Sequence, residues 1–210
     1  LRTFLTAFSV AWGIFILIIL LAAGQGLRNG AQSQFGNDAA NSIWIDGGQT
    51  SMAFEGYKPG KNIQLTNSDF YFVKNNVEGV DHASAVYDGR AGKTLSYKND
   101  RAGFTVRSCA PDHCLLEKAK IVKGRFINEI DFNEYRKVCC IGIPVQEALF
   151  KTEDPIDKFI DVSGTKYKVV GIFNDPGKGD NDRIYVPFLT AQRIYNDKDN
   201  VNVIWASTGT

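Results

Sequence analysis

The sequence has almost no net charge. Its 210 residues include 24 Lys and Arg against 23 Asp and Glu, which gives a formal charge of +1. A nucleic-acid-binding protein needs a basic face to meet phosphates, so we expect no nucleic acid among the partners. Internal repeats and low-complexity tracts are also missing. The 14 Phe and 8 Tyr residues are sufficient material for a packed interior, which excludes wholesale disorder.

Signatures of catalysis are missing as well. The sequence contains no Walker A loop, no HExxH and no G-x-S-x-G. His82 stands beside Asp81 without any matching nucleophile. The acidic stretch from Asp175 to Asp182 lacks the spacing and the final Glu of an EF-hand, so it predicts a solvated loop and a candidate contact surface. We predict that the chain is not an enzyme and has no catalytic, cofactor-binding or metal-binding residues.

Charged side chains are also missing from Phe4 to Ala23. At about 1.5 Å per residue this apolar run spans roughly 30 Å, the hydrocarbon thickness of a bilayer. It therefore predicts a transmembrane helix. The alternatives are a cleaved signal peptide, whose apolar run is usually shorter, and a buried core helix, which is rarely apolar on every face. Arg2 favours a cytoplasmic N-terminal end, although Arg28 beyond the other end weakens that argument.

A helical extension is predicted to follow the membrane segment. Leu27, Ala31 and Phe35 recur at every fourth position among polar residues, which is typical of a narrow apolar stripe on a helix. The stripe could pack on the chain's own domain or contact a partner helix. Gly24 and Gly26 mark the membrane junction. We predict a transmembrane helix at 1–24, a helical stalk at 25–40 and a soluble domain at 41–210. Because residue 1 is not methionine, we expect the sequence to be part of a longer chain.

The rest of the sequence predicts scattered helices among more numerous strands, and hence an α+β domain with a largely antiparallel or mixed sheet. Thr66, with Asp69 three places on, predicts the start of a helix whose inner face is Phe70, Val73 and Val77. The other predicted helices are Pro144 to Phe150 and Phe188 to Tyr195. The predicted strands are Ser42 to Asp46, Val80 to Tyr87, Lys93 to Tyr97, Gly103 to Ser108, Lys137 to Ile143, Phe159 to Val162, Tyr167 to Phe173, Ile184 to Val186 and Val201 to Ala206.

Short motifs run through nearly the whole chain in a single order. They are Leu1 to Thr6, Gly13, Gly24-Gln25-Gly26, Gly124-Arg125-Phe126 with Asp131, Ile141-Gly142, Ala148-Leu149-Phe150, Asp154-Pro155-Ile156, Tyr167 to Phe173 and Ile184 to Phe188. No motif is specific alone, but the ordered series resembles MacB-like ABC transporter permeases of the FtsX-like superfamily. Two departures are Asp157, where the family usually has glycine, and Cys139-Cys140, where valines are usual.

The resemblance implies an extracytoplasmic domain of two lobes, one ferredoxin-like and one rich in β-strands, between the first two of four transmembrane helices. It implies an inner-membrane location, with the residues after about 24 in the periplasm. It also implies several partners: an ABC ATPase, fused or separate, that binds ATP and magnesium, a second permease protomer, and in many members a periplasmic adaptor and an outer-membrane channel. The family couples ATP hydrolysis to periplasmic motion for export or lipoprotein extraction.

Four cysteines are present. Outside the cytoplasm, Cys109 and Cys114 could form a disulfide that closes a small loop. They could also remain free thiols, or hold a metal together with His113, although a fourth ligand is not evident. Cys139 and Cys140 lie in mid-strand, where one is expected to face the core.

Two functions remain open from the sequence. The first is a non-catalytic permease subunit of a MacB-type transporter. The alternative is a single-pass, membrane-anchored extracytoplasmic binding or sensor module. Further hydrophobic spans in the full reading frame would favour the permease.

Overall fold

The structure is a computed structural model that describes residues 2–35, 41–54, 56, 58–88, 94–175, 181–197 and 199–208. The chain divides into two compact units, Leu1–Asn37 and Asp38–Thr210. Among the described residues, the first unit contains the helix Arg2–Phe35 and the second holds the strands.

Local sequence signals account for the helix boundaries. Thr66 caps a helix through a reciprocal capping box with Asp69, and Asn128 does the same with Asp131. Pro144 lies in the first turn of another helix, where its missing N–H is harmless. The helices are α1 (Arg2–Phe35), α2 (Asn67–Asn76), α3 (His113–Leu116), α4 (Glu129–Asn133), α5 (Ile143–Leu149) and α6 (Phe188–Tyr195).

The described strands form one sheet. They are β1 (Ser42–Asp46), β2 (Val80–Tyr87), β3 (Thr94–Tyr97), β4 (Asp100–Gly103), β5 (Thr105–Cys109), β6 (Lys120–Gly124), β7 (Val138–Gly142), β8 (Phe159–Val162), β9 (Thr165–Asn174), β10 (Arg183–Pro187) and β11 (Val203–Thr208). Their order is β1-β11-β2-β5-β10-β7-β9-β8-β3-β4, with β6 paired to β9. Two pairs, β10 with β5 and β7 with β9, are parallel, and the others are antiparallel. The predicted α+β class with a mixed sheet is confirmed.

The sheet has apolar packing on both faces. Phe70 of α2 meets Phe188 of α6 edge to face, with ring centroids 5.6 Å apart, and both belong to the main core. A smaller cluster on the opposite face includes Cys140, Phe173 and Tyr185. Because side chains alternate along a strand, Cys139 joins the main core and its neighbour Cys140 joins the smaller one.

Several predicted elements need correction. Val77 does not lie on the inner face of α2, because it caps the C-terminal end in an extended conformation and is exposed. The predicted strand from Gly103 begins at Thr105, since Asp100–Gly103 forms a separate hairpin strand with β3. Strand β6 and helices α3 and α4 were not predicted. The predicted division of 41–210 into two lobes, and the stalk boundaries at 25–40, remain predictions.

Candidate functional site

Helix α1 contains a candidate membrane span. The span Arg2–Arg28 contains an 18-residue window with a mean hydropathy of 2.6. Two hydroxyl side chains in this span are satisfied locally. The Ser9 hydroxyl donates to the Leu5 carbonyl at 2.9 Å and the Thr6 hydroxyl to the Thr3 carbonyl at 2.9 Å. Such back-bonding lets a hydroxyl enter lipid without an unpaired donor.

The predicted junction residues lie within this continuous helix. A Cβ added at Gly24 or Gly26 would meet no atom within 4 Å. Packing among the described residues therefore does not demand glycine at either position. Leu27 is 78% exposed. Ala31 and Phe35 also belong to α1, but their side chains lie outside the described residues, and the predicted stripe contact remains a prediction.

The motif Gly124-Arg125-Phe126 with Asp131 forms a tight turn between β6 and α4. Gly124 has φ +73°, and a Cβ there would lie 2.3 Å from the Val170 carbonyl oxygen. Arg125 forms a two-pronged ion pair with the buried Asp131 carboxylate, which also closes the capping box of α4. Phe126 packs edge to face against Tyr185. These contacts explain the composition of the motif: glycine allows the close approach, arginine ties the turn to α4, and phenylalanine anchors it to the sheet.

The departure at Asp157 retains the backbone that the motif needs. Asp157 has φ 66°, in the left-handed region that glycine occupies freely and that Asp tolerates better than most residues. Its N–H donates to the Val169 carbonyl at 2.9 Å. The turn is therefore preserved without glycine.

A cluster of ionisable side chains lies buried on the face of the sheet that carries α3. At its centre is Glu117, whose side chain is 1% exposed. One carboxylate oxygen accepts a hydrogen bond from Arg107 at 3.1 Å and lies 3.7 Å from Arg183. The other oxygen accepts a hydrogen bond from the Tyr185 hydroxyl. His113 Nε2 lies 3.3 Å from the first oxygen, but not in hydrogen-bonding geometry.

The cluster joins the segment that carries β5 and α3 to β10, with Glu117 and Tyr185 lying 68 positions apart in the sequence. Arg107 belongs to β5 and Tyr185 to β10, while His113 lies on α3 and Glu117 caps its end. The His113 ring also packs on Trp205 of β11, with ring centroids 5.0 Å apart. The arrangement offers no exposed nucleophile beside a base. The cluster is therefore a buried network of charges and hydrogen bonds that holds these elements together.

This cluster predicts a pH-dependent stability. Burial would raise the pKa of Glu117, but His113, Tyr185 and Arg107 oppose it and lower the pKa from 4.5 to about 2. A lowered pKa contributes stability above pH 4.5 that is lost as the pH falls towards 2. Glu117→Gln resembles the protonated carboxyl. We therefore expect the native chain and this variant to differ in melting temperature at pH 7, and the difference to shrink as the pH falls from 4.5 towards 2. A constant difference across that range would contradict the assignment.

The structure has all four cysteines as free thiols, and the predicted Cys109–Cys114 disulfide remains a prediction. Burial raises the pKa of Cys109, Cys139 and Cys140 well above that of an exposed thiol. Burial and the nearby Glu117 raise the pKa of Cys114 to about 11. These thiols are therefore protonated at neutral pH and are weak nucleophiles.

Metal binding finds no support in the part of the chain that the structure describes. No group of three or more His, Cys, Asp or Glu side chains there could hold an ion. Most of the predicted acidic loop, residues 176–180, lies outside the described residues. At its ends, Asp175 is buried and its N–H donates to the Asn181 side chain, while Asp182 is exposed.

A groove on the other face of the sheet lies beside the start of α2 and along α6. Its floor is the amide pair of Asn67 and Gln192, which exchange hydrogen bonds of 3.0 and 2.9 Å. The Asn67 N–H donates to the Asp199 carboxylate at 2.8 Å. The two side-chain amides therefore hydrogen-bond to each other, and this pair joins α2 to α6.

Comparisons with known proteins agree with the motif series. The MacB-like periplasmic core domain family matches residues 3–209. A macrolide export ATP-binding/permease protein MacB from Bdellovibrio bacteriovorus is 25% identical over 209 residues, which cover 96% of this chain and 32% of that protein. A pyoverdine export ATP-binding/permease protein PvdT from Pseudomonas fluorescens is 25% identical over 205 residues, covering 93% of this chain and 30% of that protein. The chain thus spans about a third of the length of these relatives.

Two solved structures share the fold. The periplasmic region of MacB from Actinobacillus actinomycetemcomitans superposes with a TM-score of 0.68 at 18% identity, covering 82% of this chain and 77% of that one. The extracellular domain of the noncanonical ABC-type transporter YknZ from Gram-positive bacteria gives a TM-score of 0.61 at 20% identity, covering 70% of this chain and 74% of that one. With the family match over residues 3–209, the chain belongs to the MacB-like periplasmic core domain family of ABC transporter permeases.

Proposed function

We propose that this chain is the first membrane helix and the extracytoplasmic core of a MacB-type permease subunit. In this proposal the helix crosses the bacterial inner membrane with Arg2 on the cytoplasmic side, and residues beyond about 24 lie in the periplasm. The subunit does no chemistry itself. It transmits ATP-driven motion outwards for export or for lipoprotein extraction.

The observation that carries this proposal is the unbroken helix α1. Its 34 residues, Arg2–Phe35, measure about 51 Å at 1.5 Å per residue. A hydrocarbon core is about 30 Å thick, which leaves about 20 Å of helix outside it. A tether needs no such extension, whereas a rigid element that transmits motion does. The helix therefore supports a stalk that continues the transmembrane segment into the aqueous phase.

The proposal requires partners with complementary roles. An ABC ATPase, fused or separate, would bind ATP and magnesium, because this sequence has no phosphate-binding loop. A second permease protomer would form a dimer in the bilayer. A periplasmic adaptor and an outer-membrane channel would complete the export path. The relatives named for macrolide and pyoverdine export support export as the general task.

The buried groups of the soluble domain support a non-catalytic role. Glu117 is ionised but enclosed, and the Tyr185 hydroxyl that contacts it has a pKa raised by burial and by that carboxylate. Neither group reaches solvent, where a substrate would meet it. Their contacts join strands and helix, as a force-bearing domain requires.

Membrane topology provides a direct test. Asp182→Cys places a thiol at an exposed position of the soluble unit, and Arg2→Cys places one before the apolar run. In intact cells we expect a membrane-impermeant maleimide to label the cysteine at 182, and to label the one at 2 only after the inner membrane is permeabilised. The native chain, whose cysteines are buried or partly buried, measures the background. Labelling in the reverse order would contradict the proposed orientation.

A further inference from the structure

Strand β1 forms one end of the sheet and has an unusually apolar free edge. Among the described residues it pairs with β11 alone. The strand at the other end, β4, carries Asp100 and Arg101, and charges of this kind protect sheet edges from unwanted pairing. On β1 the one charged residue, Asp46, lies at the end of the strand, while Ile43 is 54% exposed and Trp44 is 52% exposed. The β1 edge therefore has the features of a contact surface.

The hydrogen-bond pattern shows which main-chain groups are available at this edge. The Thr208 N–H donates to the Asn41 carbonyl at 3.1 Å, and these two residues are opposite each other when the register is extended from Ser42 and Ser207. In an antiparallel pair, hydrogen-bonded and non-hydrogen-bonded residues alternate. Ile43 and Ile45 are therefore bonded to β11. Ser42, Trp44 and Asp46 direct their N–H and C=O groups away from β11, towards the free edge.

The β1 sequence, Ser-Ile-Trp-Ile-Asp, is nearly symmetric about Trp44. When two copies are aligned antiparallel about that residue, Trp44 faces Trp44 and Ile43 faces Ile45. The isoleucines fall on the core face. The tryptophans fall on the other face, where Trp44 already lies 5.6 Å from Trp205 between ring centroids. Asp46 faces Ser42 rather than a second carboxylate, so no like charges meet.

We propose that β1 pairs antiparallel with β1 of a second copy of this chain, centred on Trp44, so that one sheet continues across two protomers. About six main-chain hydrogen bonds would form, two for each of the three outward-facing positions. A row of four tryptophans would cover one face of the junction. This inference rests on the proposed function only for the presence of two copies in one membrane.

Cysteine cross-linking in native membranes tests the contact. In Trp44→Cys the two Cα atoms would lie about 5.5 Å apart, within the range that a disulfide spans. Phe159→Cys is the matched control, because Phe159 is 57% exposed on β8, away from the proposed contact. After mild oxidation of membranes containing the full chain, we expect a dimer band for the variant at 44 and only background for the variant at 159. Equal cross-linking at both positions would overturn the proposal.

A second pair of variants tests the register and keeps Trp44 in place. Chains carrying Ser42→Cys and chains carrying Asp46→Cys should cross-link when they are produced together. Ser42→Cys alone should not, because two copies of position 42 would lie about 14 Å apart in this register. Absence of the mixed dimer would overturn the proposal even if Trp44→Cys failed to fold.

A cysteine in the stalk, Leu27→Cys, distinguishes failure of the β1 contact from failure of the proposed dimer. If Leu27→Cys cross-links while the β1 positions do not, the proposed β1 contact is wrong and the dimer stands. If none of these positions cross-links, both the contact and the proposed dimer are wrong.

Discussion

The Glu117→Ala variant is expected to lose about 3–5 kcal/mol of unfolding free energy, because removing one member of a buried ion pair leaves the other charges uncompensated. Glu117 accepts hydrogen bonds from Arg107 and Tyr185, and its side chain is 1% exposed. For a protein of this size the loss corresponds to a fall of about 6–20 °C in melting temperature. Urea and thermal unfolding of the full chain, solubilised in detergent, would measure it at pH 7.

Glu153→Ala is the matched control for this prediction. Glu153 also accepts hydrogen bonds, from Lys98 and Tyr97, but its carboxylate lies at the surface. Surface ion pairs contribute little, so we expect a far smaller change. An Arg107→Met background separates charge from packing. If Glu117 acts through its charge, its removal should cost less there. An unchanged loss in both backgrounds would contradict the electrostatic explanation.

Elements defined by local chemistry could be predicted from the sequence. The capping box of Thr66 and Asp69 placed the start of α2 correctly. The helix from Phe188 to Tyr195 was predicted with the boundaries that the structure has. Between the predicted strands Phe159 to Val162 and Tyr167 to Phe173, Ser163 and Gly164 both have positive φ, as the tight turn of the β8–β9 hairpin requires. In each case, residues within one or two turns of one another determine the backbone.

Elements that depend on distant partners could not be predicted. Strand β6, Lys120–Gly124, is mostly exposed and lacks a clear apolar alternation. It is a strand because it pairs with β9, whose central residues are about fifty positions away. Helices α3 and α4 are four and five residues long, too short for a periodic signal. Val77 has the helical spacing of a core residue, but the helix ends one residue before it.

The buried cluster shows the same limit for the candidate site. The sequence drew attention to Cys109, His113 and Cys114 because they are close together. The central residue of the cluster, however, is Glu117, whose carboxylate the neighbouring charged and polar side chains contact. The four-residue spacing of His113 and Glu117 was a usable signal for a helical pair. Nothing local indicated Arg107 or Tyr185, because parallel pairing of β5 with β10 brings those two residues together.

Inserting a short Gly-Ser linker after Gly26 is expected to abolish transport by the complete permease and to leave membrane insertion intact. Under the proposed function, α1 transmits motion between the membrane and the soluble domain, so a flexible break would absorb the displacement. A Gly-Ser linker behaves as a random coil, so it does not hold the two segments that it joins in a fixed orientation. Export of a macrolide, the substrate in the name of the MacB relatives, is the first measurement in cells. Labelling of Asp182→Cys from outside is the second, and it should be unchanged.

The control for this insertion is a substitution that should stiffen helix α1 at the same membrane junction. Gly24→Ala raises helix propensity by up to about 1 kcal/mol, and a Cβ there meets none of the described atoms outside its own stretch of helix within 4 Å. Transport should therefore persist in Gly24→Ala and fail in the insertion, although both changes lie at the same membrane junction.

If transport persisted in both variants, α1 would be a simple anchor, and motion would have to reach the soluble domain through another part of the permease. Loss of transport in both would instead indicate that Gly24 is needed for close approach to a partner helix. α1 is supported as the element that carries motion out of the membrane only if Gly24→Ala retains transport and the Gly-Ser insertion abolishes it.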